Sequence, residues 1–314
     1  MGKTPIETRN AYGDAIIELA EKDKDIITMD CDLGASTRAS WIQEVDPDRF
    51  IEMGISEQDM ISTAAGLAKM GKTVFANSFA IFITGRGFDQ IRQQVALPKA
   101  NVKICGSSAG LTQGPDGATH QSLLDVSLMR SLPNMTVYVP GDAEQTRNVV
   151  IAAADYKGPV YIRLSRFPVE TFSEGHPFES GKAQIIEKGK DVLLCSTGPI
   201  TGEVVKACNN LRNMGIEPTL AVFHTIKPFD TDKFIELASE LKTVITIEEH
   251  SIIGGLGSIA AETLAENSVK FDKFHRIGVN DHFGESGTAQ ELLNKYKLDA
   301  DGITEQIASA LKEG

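Results

Sequence analysis

Ten short runs rich in β-branched residues punctuate this chain, and stretches with helical apolar spacing lie between them. The first six are IITMD, RFIEM, TVFANS, NVKICGS, MTVYVP and PVYIRLS, separated by segments such as AYGDAIIELAEK and AEQTRNVVIAAADY. Strand–helix alternation of this kind predicts a mainly parallel sheet with helices on both faces. The segment from Phe167 to Lys190 is polar and rich in Gly, Pro and Ser, which suits a linker. The alternation then restarts with DVLLCST, TLAVFHT, TVITIEEH and FHRIGVN, predicting a second, smaller domain of four or five strands. A chain of 314 residues is long enough to bury two cores. The expected fold class is therefore two consecutive three-layer α/β domains, residues 1–182 and 183–314.

The charge balance narrows the possible partners. Lys and Arg number 31 against 43 Asp and Glu, a net charge of −12. Phosphate backbones need a basic stripe, so nucleic acid is not expected as a partner. No run of eighteen apolar residues occurs and the amino terminus shows no basic-then-apolar leader, so a cytoplasmic protein without a membrane span is expected. Cys31, Cys105, Cys195 and Cys208 form no CxxC pair and read as buried thiols of a reducing compartment. The six histidines are dispersed, so no metal site held by this chain is expected.

Chemistry is suggested first by Glu57. It lies in Met53-Gly-Ile-Ser-Glu-Gln-Asp-Met60, where a strand-like segment gives way to the helix-like QDMISTAAGLAKM. A carboxylate there sits near the positive end of a helix dipole, which favours its ionisation, while a pocket closing over it opposes ionisation. Ser56 followed by Asp59 three residues on also resembles a capping box, which needs no chemistry. The loop Gly106-SSAGLTQGPDGATHQ-Gln121 follows a strand, and open parallel sheets bind ligands at such carboxyl ends. Asp116 and His120 stand four apart there and can share a cavity as acceptor and proton carrier; an ordinary turn with Thr119 capping a following helix is the alternative. Phe79 and Phe82 are three apart, either as core or as a platform for a heteroaromatic ring. Arg9, Ser36, Arg163 and Arg166 near strand ends suit forked recognition of a phosphate.

The ordered motifs TRNAYG, DLGAS, GISEQDM, NSFAIF, GPDGATHQ and YIRLSRFP, then HTIKPFD, EEH and GGLG, closely resemble the carboxyl-terminal half of transketolases over nearly the whole chain. The resemblance implies a thiamine diphosphate-binding pyrimidine domain followed by a transketolase C-terminal-like domain. It lacks the family's other half, since no GDG followed by Asn is present to hold the diphosphate through a metal; Gly141-Asp142-Ala143-Glu144 lacks the second glycine. The implied protein is one subunit of a split transketolase that moves a two-carbon ketol unit from a ketose to an aldose. An amino-terminal subunit would supply the ligands of Mg2+ or Ca2+, in an α2β2 assembly.

By this resemblance Glu57 is the catalytic glutamate that hydrogen-bonds N1′ of the aminopyrimidine, favouring the 4′-imino tautomer and loss of the C2 proton. Phe79 and Phe82 match ring-stacking positions, with Ile55 beside them at the cofactor. His120 and Asp116 match residues contacting the donor's hydroxyls, His120 also serving catalysis. Arg9, Ser36 and Arg166 match the phosphate end of the sugar channel. Ser108 stands where many members have a further histidine, Pro115 replaces the glutamate of GEDG, and FAIFITGRGFDQ is one residue longer than in some relatives, which leaves the role of Arg86 open. The rivals are the β subunit of a 2-oxoacid dehydrogenase, a 1-deoxyxylulose-phosphate synthase fragment and a non-catalytic assembly subunit. Gly255-Leu-Gly257-Ser-Ile-Ala260 also matches a loose GxGxxA dinucleotide pattern, but the next strand-like run ends in Asn280 rather than the acidic residue such sites use.

Overall fold

The computed structural model describes residues 4–312; the extreme ends of both expected domains, and the first residues of the stretch read as carrying no leader, lie outside the described residues. In chain order, β1 (Ile6–Glu7), β2 (Ile26–Asp30), β3 (Phe50–Glu52), β4 (Thr73–Phe79), β5 (Val102–Ser107), β6 (Thr136–Tyr138) and β7 (Val160–Arg163) alternate with helices that include Thr8–Lys22, Glu57–Lys69 and Ala143–Asp155. The two-residue β8 (Pro168–Val169) pairs antiparallel with β1. Then come β9 (Gln184–Glu187), β10 (Val192–Thr197), β11 (Pro218–Val222), β12 (Thr225–Lys227), β13 (Thr243–Ser251) and β14 (Lys273–Val279).

The first sheet has seven strands in the order β12-β6-β7-β5-β4-β2-β3, parallel except where β12 meets β6. Every residue of β2, β4, β5 and β7 is buried, as a parallel sheet covered on both faces requires. The pleat divides their side chains. Ile26, Phe75, Cys105 and Ile162 join Tyr12, Ile16, Val149 and Val150 of two covering helices in one core cluster. Ile27, Met29, Val74, Ala76 and Ile104 face the other way, with Met60, Ile61 and Ala64 of the helix after β3. That second cluster continues into Leu193, Cys195 and Ala221 of the carboxyl-terminal sheet and Phe223 just after β11, so apolar packing runs on between the two halves.

The second sheet has the order β14-β13-β10-β11-β9, parallel except for β9. All ten strands expected from β-branched runs are present. The stretch expected as a plain linker carries two strands, β8 and β9, the latter extending the second sheet. Strand β12 follows β11 closely in sequence yet adds to the edge of the first sheet. All four cysteines are buried and unpaired by disulfides, and among the described residues no helix is long and apolar enough to cross a membrane.

Candidate active site

The parallel strands of the first sheet deliver their following segments to one edge, the carboxyl edge where such sheets bind ligands. After β3 the chain turns through Gly54, whose φ of +67° suits glycine, and Ser56 immediately precedes the helix Glu57–Lys69. The expected capping box does not form: the Ser56 hydroxyl donates to the Met53 carbonyl at 2.7 Å instead of capping the helix. That turn places Glu57 on the first helical position with its side chain folded inward, only 1 % exposed. Its Oε1 accepts from the Ser78 hydroxyl at 3.1 Å, and its Oε2 accepts from Nη1 of Arg86 at 2.6 Å.

Phe79 ends β4 and Phe82 lies on the helix Ala80–Gly85 that follows. Their rings stack, with centroids 6.0 Å apart and planes 16° from parallel. His120 presents its ring edgewise to both, at 5.1 Å from Phe82 and 6.2 Å from Phe79. A cavity of about 260 Å³ opens here, lined by Cys31, Asp32, Leu33, Ile55, Glu57, Phe82, Arg86 and His120. Glu57, Phe82, His120 and Ile55 thus share one cavity, with Phe79 stacked on Phe82; Ile55 is 74 % exposed at its rim.

Asp116 does not line this cavity. It accepts from the Gln113 amide at 2.6 Å and lies 3.6 Å from Arg166. No helix starts at Thr119, whose hydroxyl sits 2.9 Å from Nδ1 of His120; the next helix begins at Asp125. Arg9 and Ser36 meet directly, the guanidinium donating to the Ser36 carbonyl at 3.0 Å and to its hydroxyl at 3.1 Å, while Glu7 holds Nε of Arg9 at 2.6 Å. The Arg9 amide also bonds the Ser165 carbonyl, which brings Arg9 to the stretch that carries Arg166.

Arg163 takes a different place from the one expected. It is buried and donates through Nε to Asp125 at 2.9 Å and through Nη2 to the Glu249 carbonyl at 2.9 Å, so it braces the two halves rather than facing a ligand. Burial pushes the Asp125 carboxyl upward, while Arg163 beside it and the hydrogen bonds from Tyr161 and Ser122 act the other way, and the net result is a carboxyl held below the usual carboxylate range. Ser108 has a φ of +53° and a buried hydroxyl without a hydrogen-bond partner among the described residues.

The GxGxxA segment is filled from within. Glu248 accepts the Leu256 and Gly257 amides at 2.8 Å each, occupying the helix start that a dinucleotide phosphate would need. A side chain at Gly255 would collide with the same carboxylate, so these glycines serve close packing around Glu248.

Four cavity residues were given no role from the sequence. Cys31 immediately precedes the DLGAS motif, Asp32, with a φ of +62°, and Leu33 begin it, and Arg86 sits in the lengthened segment. A non-glycine residue in left-handed conformation after a strand leaves no mark in sequence.

The cavity offers a buried acceptor pair beside an aromatic stack, a donor and acceptor set that fits a flat aminopyrimidine with a protonatable ring nitrogen. Residues 4–170 match the transketolase pyrimidine-binding domain and residues 181–303 the transketolase C-terminal domain. The chain belongs to the transketolase family. It is 43 % identical over 308 residues to a putative transketolase C-terminal section of Methanocaldococcus jannaschii, covering 97 % of this chain and 96 % of that one. A 6-deoxy-6-sulfo-D-fructose transketolase subunit from a Clostridium species is 42 % identical over 296 residues, 94 % of this chain and 91 % of its own. A solved split-gene transketolase, described as an inactive β4 tetramer, superposes with a TM-score of 0.89 at 43 % identity, covering 98 % of this chain and 99 % of that chain. The relatives identified as transketolase sections or subunits are thus matched along nearly their whole length.

Proposed function

We propose that this chain is the aminopyrimidine-reading subunit of a two-chain transketolase that transfers a two-carbon ketol unit from a ketose to an aldose, using thiamine diphosphate. The observation that carries this reading is Glu57: a carboxylate 1 % exposed, yet lining a cavity beside the stacked Phe79 and Phe82. Packing alone gives no reason to bury an acid at the mouth of a cavity, because the burial carries a desolvation penalty.

Bound thiamine diphosphate supplies an electron sink for the carbon–carbon bond that is made and broken. The chain's own residues do the positioning. Glu57 holds a proton at N1′, Ser78 fixes the carboxylate through Oε1, and Phe79 and Phe82 supply the aromatic stack against which the ring rests, with Ile55 at the rim. His120 hydrogen-bonds the donor's hydroxyls and passes a proton at the reacting carbon's oxygen, with Asp116 reading a further hydroxyl. Arg9, Ser36 and Arg166 receive the anionic end of the sugar. The partner is an amino-terminal transketolase subunit that holds the diphosphate through Mg2+ or Ca2+, in an assembly of two plus two chains within the cytoplasm. The domain boundary is placed between residues 182 and 183.

The test is reconstitution. The chain mixed with a partner carrying GDG and a downstream Asn is expected to show thiamine diphosphate- and Mg2+-dependent ketol transfer between sugar phosphates, with neither chain active alone. A mixture that binds the cofactor and transfers no ketol group contradicts the reading.

A further inference from the structure

The guanidinium of Arg86 stands where this site would receive its ring. One nitrogen donates to Oε2 of Glu57 at 2.6 Å, and the guanidinium carbon lies 5.3 Å from the centroid of the Phe82 ring. These are the two contacts assigned above to the aminopyrimidine: a nitrogen against the buried carboxylate and a flat face on the aromatic stack. A guanidinium is planar, permanently charged, weakly hydrated and prone to stack on aromatic rings, so it resembles a protonated aminopyrimidine in shape and in hydrogen bonding. We propose that Arg86 is a built-in placeholder, occupying the ring site of the cofactor-free chain and leaving it when the ring enters. The inference rests on the reading of the Glu57 cavity as that ring site.

The two partners of the ion pair differ in a way that favours departure. Glu57 is 1 % exposed and held by Ser78, so it cannot follow the arginine outward. The Arg86 side chain is 45 % exposed and can reach solvent without opening the core. It also sits at a break in the helix, after Ala80–Gly85 and before the short helix Phe88–Gln90, with Gly85 facing open space. Burying Glu57 without a cation would be costly, and the arginine removes that cost while the ring is absent. Ligand binding then has to displace it, which lowers apparent affinity by the fraction of chains in which the site is open.

The experiment titrates thiamine, the ring-bearing part without its diphosphate, at up to millimolar concentration into the full-length chain by calorimetry, with near-ultraviolet circular dichroism of the bound ring as a second readout. Arg86→Ala is expected to bind about tenfold more tightly than wild type, as removing an occupant present in about nine chains of ten would give, with Arg86→Lys between the two. Thermal melts establish that each variant is folded. Weaker, equal or undetectable binding by folded Arg86→Ala overturns the placeholder; weaker binding in particular makes Arg86 a standing ligand of the ring. The double variant Arg86→Ala, Glu57→Gln separates this from a failure of the site itself. It is expected to lose binding, and if it binds as Arg86→Ala does, Glu57 does not read the ring and the proposed function fails with it.

Discussion

The Ser78 hydroxyl donates to Oε1 of Glu57 at 3.1 Å, tying the end of β4 to the helix that follows β3, although β2 lies between those two strands in the sheet. The contact fixes one oxygen of a buried carboxylate, while the other accepts from Arg86 at the cavity. Ser78→Ala removes it without opening the surface, since Ser78 is itself fully buried. In the assembled enzyme its expected effect is a fall in kcat of about tenfold, the worth of one hydrogen bond to a charged group, with KM for the sugar unchanged. An unaltered kcat would mean that Glu57 is positioned by other contacts.

The Arg163–Asp125 pair is the clearest stability element. Asp125 also accepts from the Tyr161 hydroxyl at 2.6 Å and from Ser122 at 3.0 Å. Removing one partner of such a pair leaves an uncompensated buried charge, so Arg163→Ala is expected to cost about 3–5 kcal/mol in urea unfolding. Arg92→Ala, at the exposed pair with Asp89, is expected to leave the unfolding midpoint where it is. Equal effects from the two would contradict the assignment of Arg163 as an internal brace.

Asp30 gives a pH dependence of definite sign. Burial pushes its carboxyl up to about 7, against opposing hydrogen bonds from Thr37 at 2.5 Å and from the Leu33 amide at 2.7 Å. The folded chain therefore holds this proton more tightly than the unfolded chain does. Its contribution to stability is full below about pH 4 and is lost as pH rises to about 7. Asp30→Asn is expected to become more stable relative to wild type between about pH 4.5 and about pH 7.5, by up to a few kcal/mol. Parallel unfolding curves for the two proteins across that range would show that Asp30 does not titrate there.

What the sequence made legible follows from burial. β2, β4, β5, β7, β10 and β11 are buried along their whole length, so each reads as an apolar run, and both sheets could be anticipated from them. β1, β8 and β12 are two or three residues long, and what decides them is the neighbour they meet rather than their own composition. In the site, the aromatic pair and Glu57 carried recognisable motifs. The Arg86 contact with Glu57 spans 29 positions and joins segments that follow β4 and β3, strands that are not neighbours in the sheet, so no local pattern announces it. Arg163 could not be told from a ligand-facing arginine, because its partner Asp125 lies outside every motif. The glycines after β13 matched a nucleotide pattern because a helix start packed on an internal carboxylate needs the same small residues as one packed on a phosphate.

The anionic end of the sugar gives a kinetic prediction. Arg9→Ala removes the contact to Ser36, and Arg166→Ala removes the cation nearest Asp116. Both are expected to raise KM for a phosphorylated ketose by about tenfold with kcat little changed, because the lost binding is present in ground state and transition state alike. His120→Ala is expected to lower kcat instead. Matched phosphorylated and unphosphorylated ketoses separate the cases, and arginine variants that handle both as wild type does would place the anion elsewhere.

Activation of the ring by Glu57 can be read from exchange of the C2 proton of thiamine diphosphate bound to the assembled two-chain enzyme, followed by NMR after quenched transfer into deuterated water. Glu57→Gln keeps the size and the acceptor oxygen while removing the charge. The expected result is exchange slowed by about a hundredfold or more, the scale of a general acid–base contribution, in a variant that still folds and assembles. Exchange at the wild-type rate in that folded, assembled variant would remove Glu57 from activation of the ring.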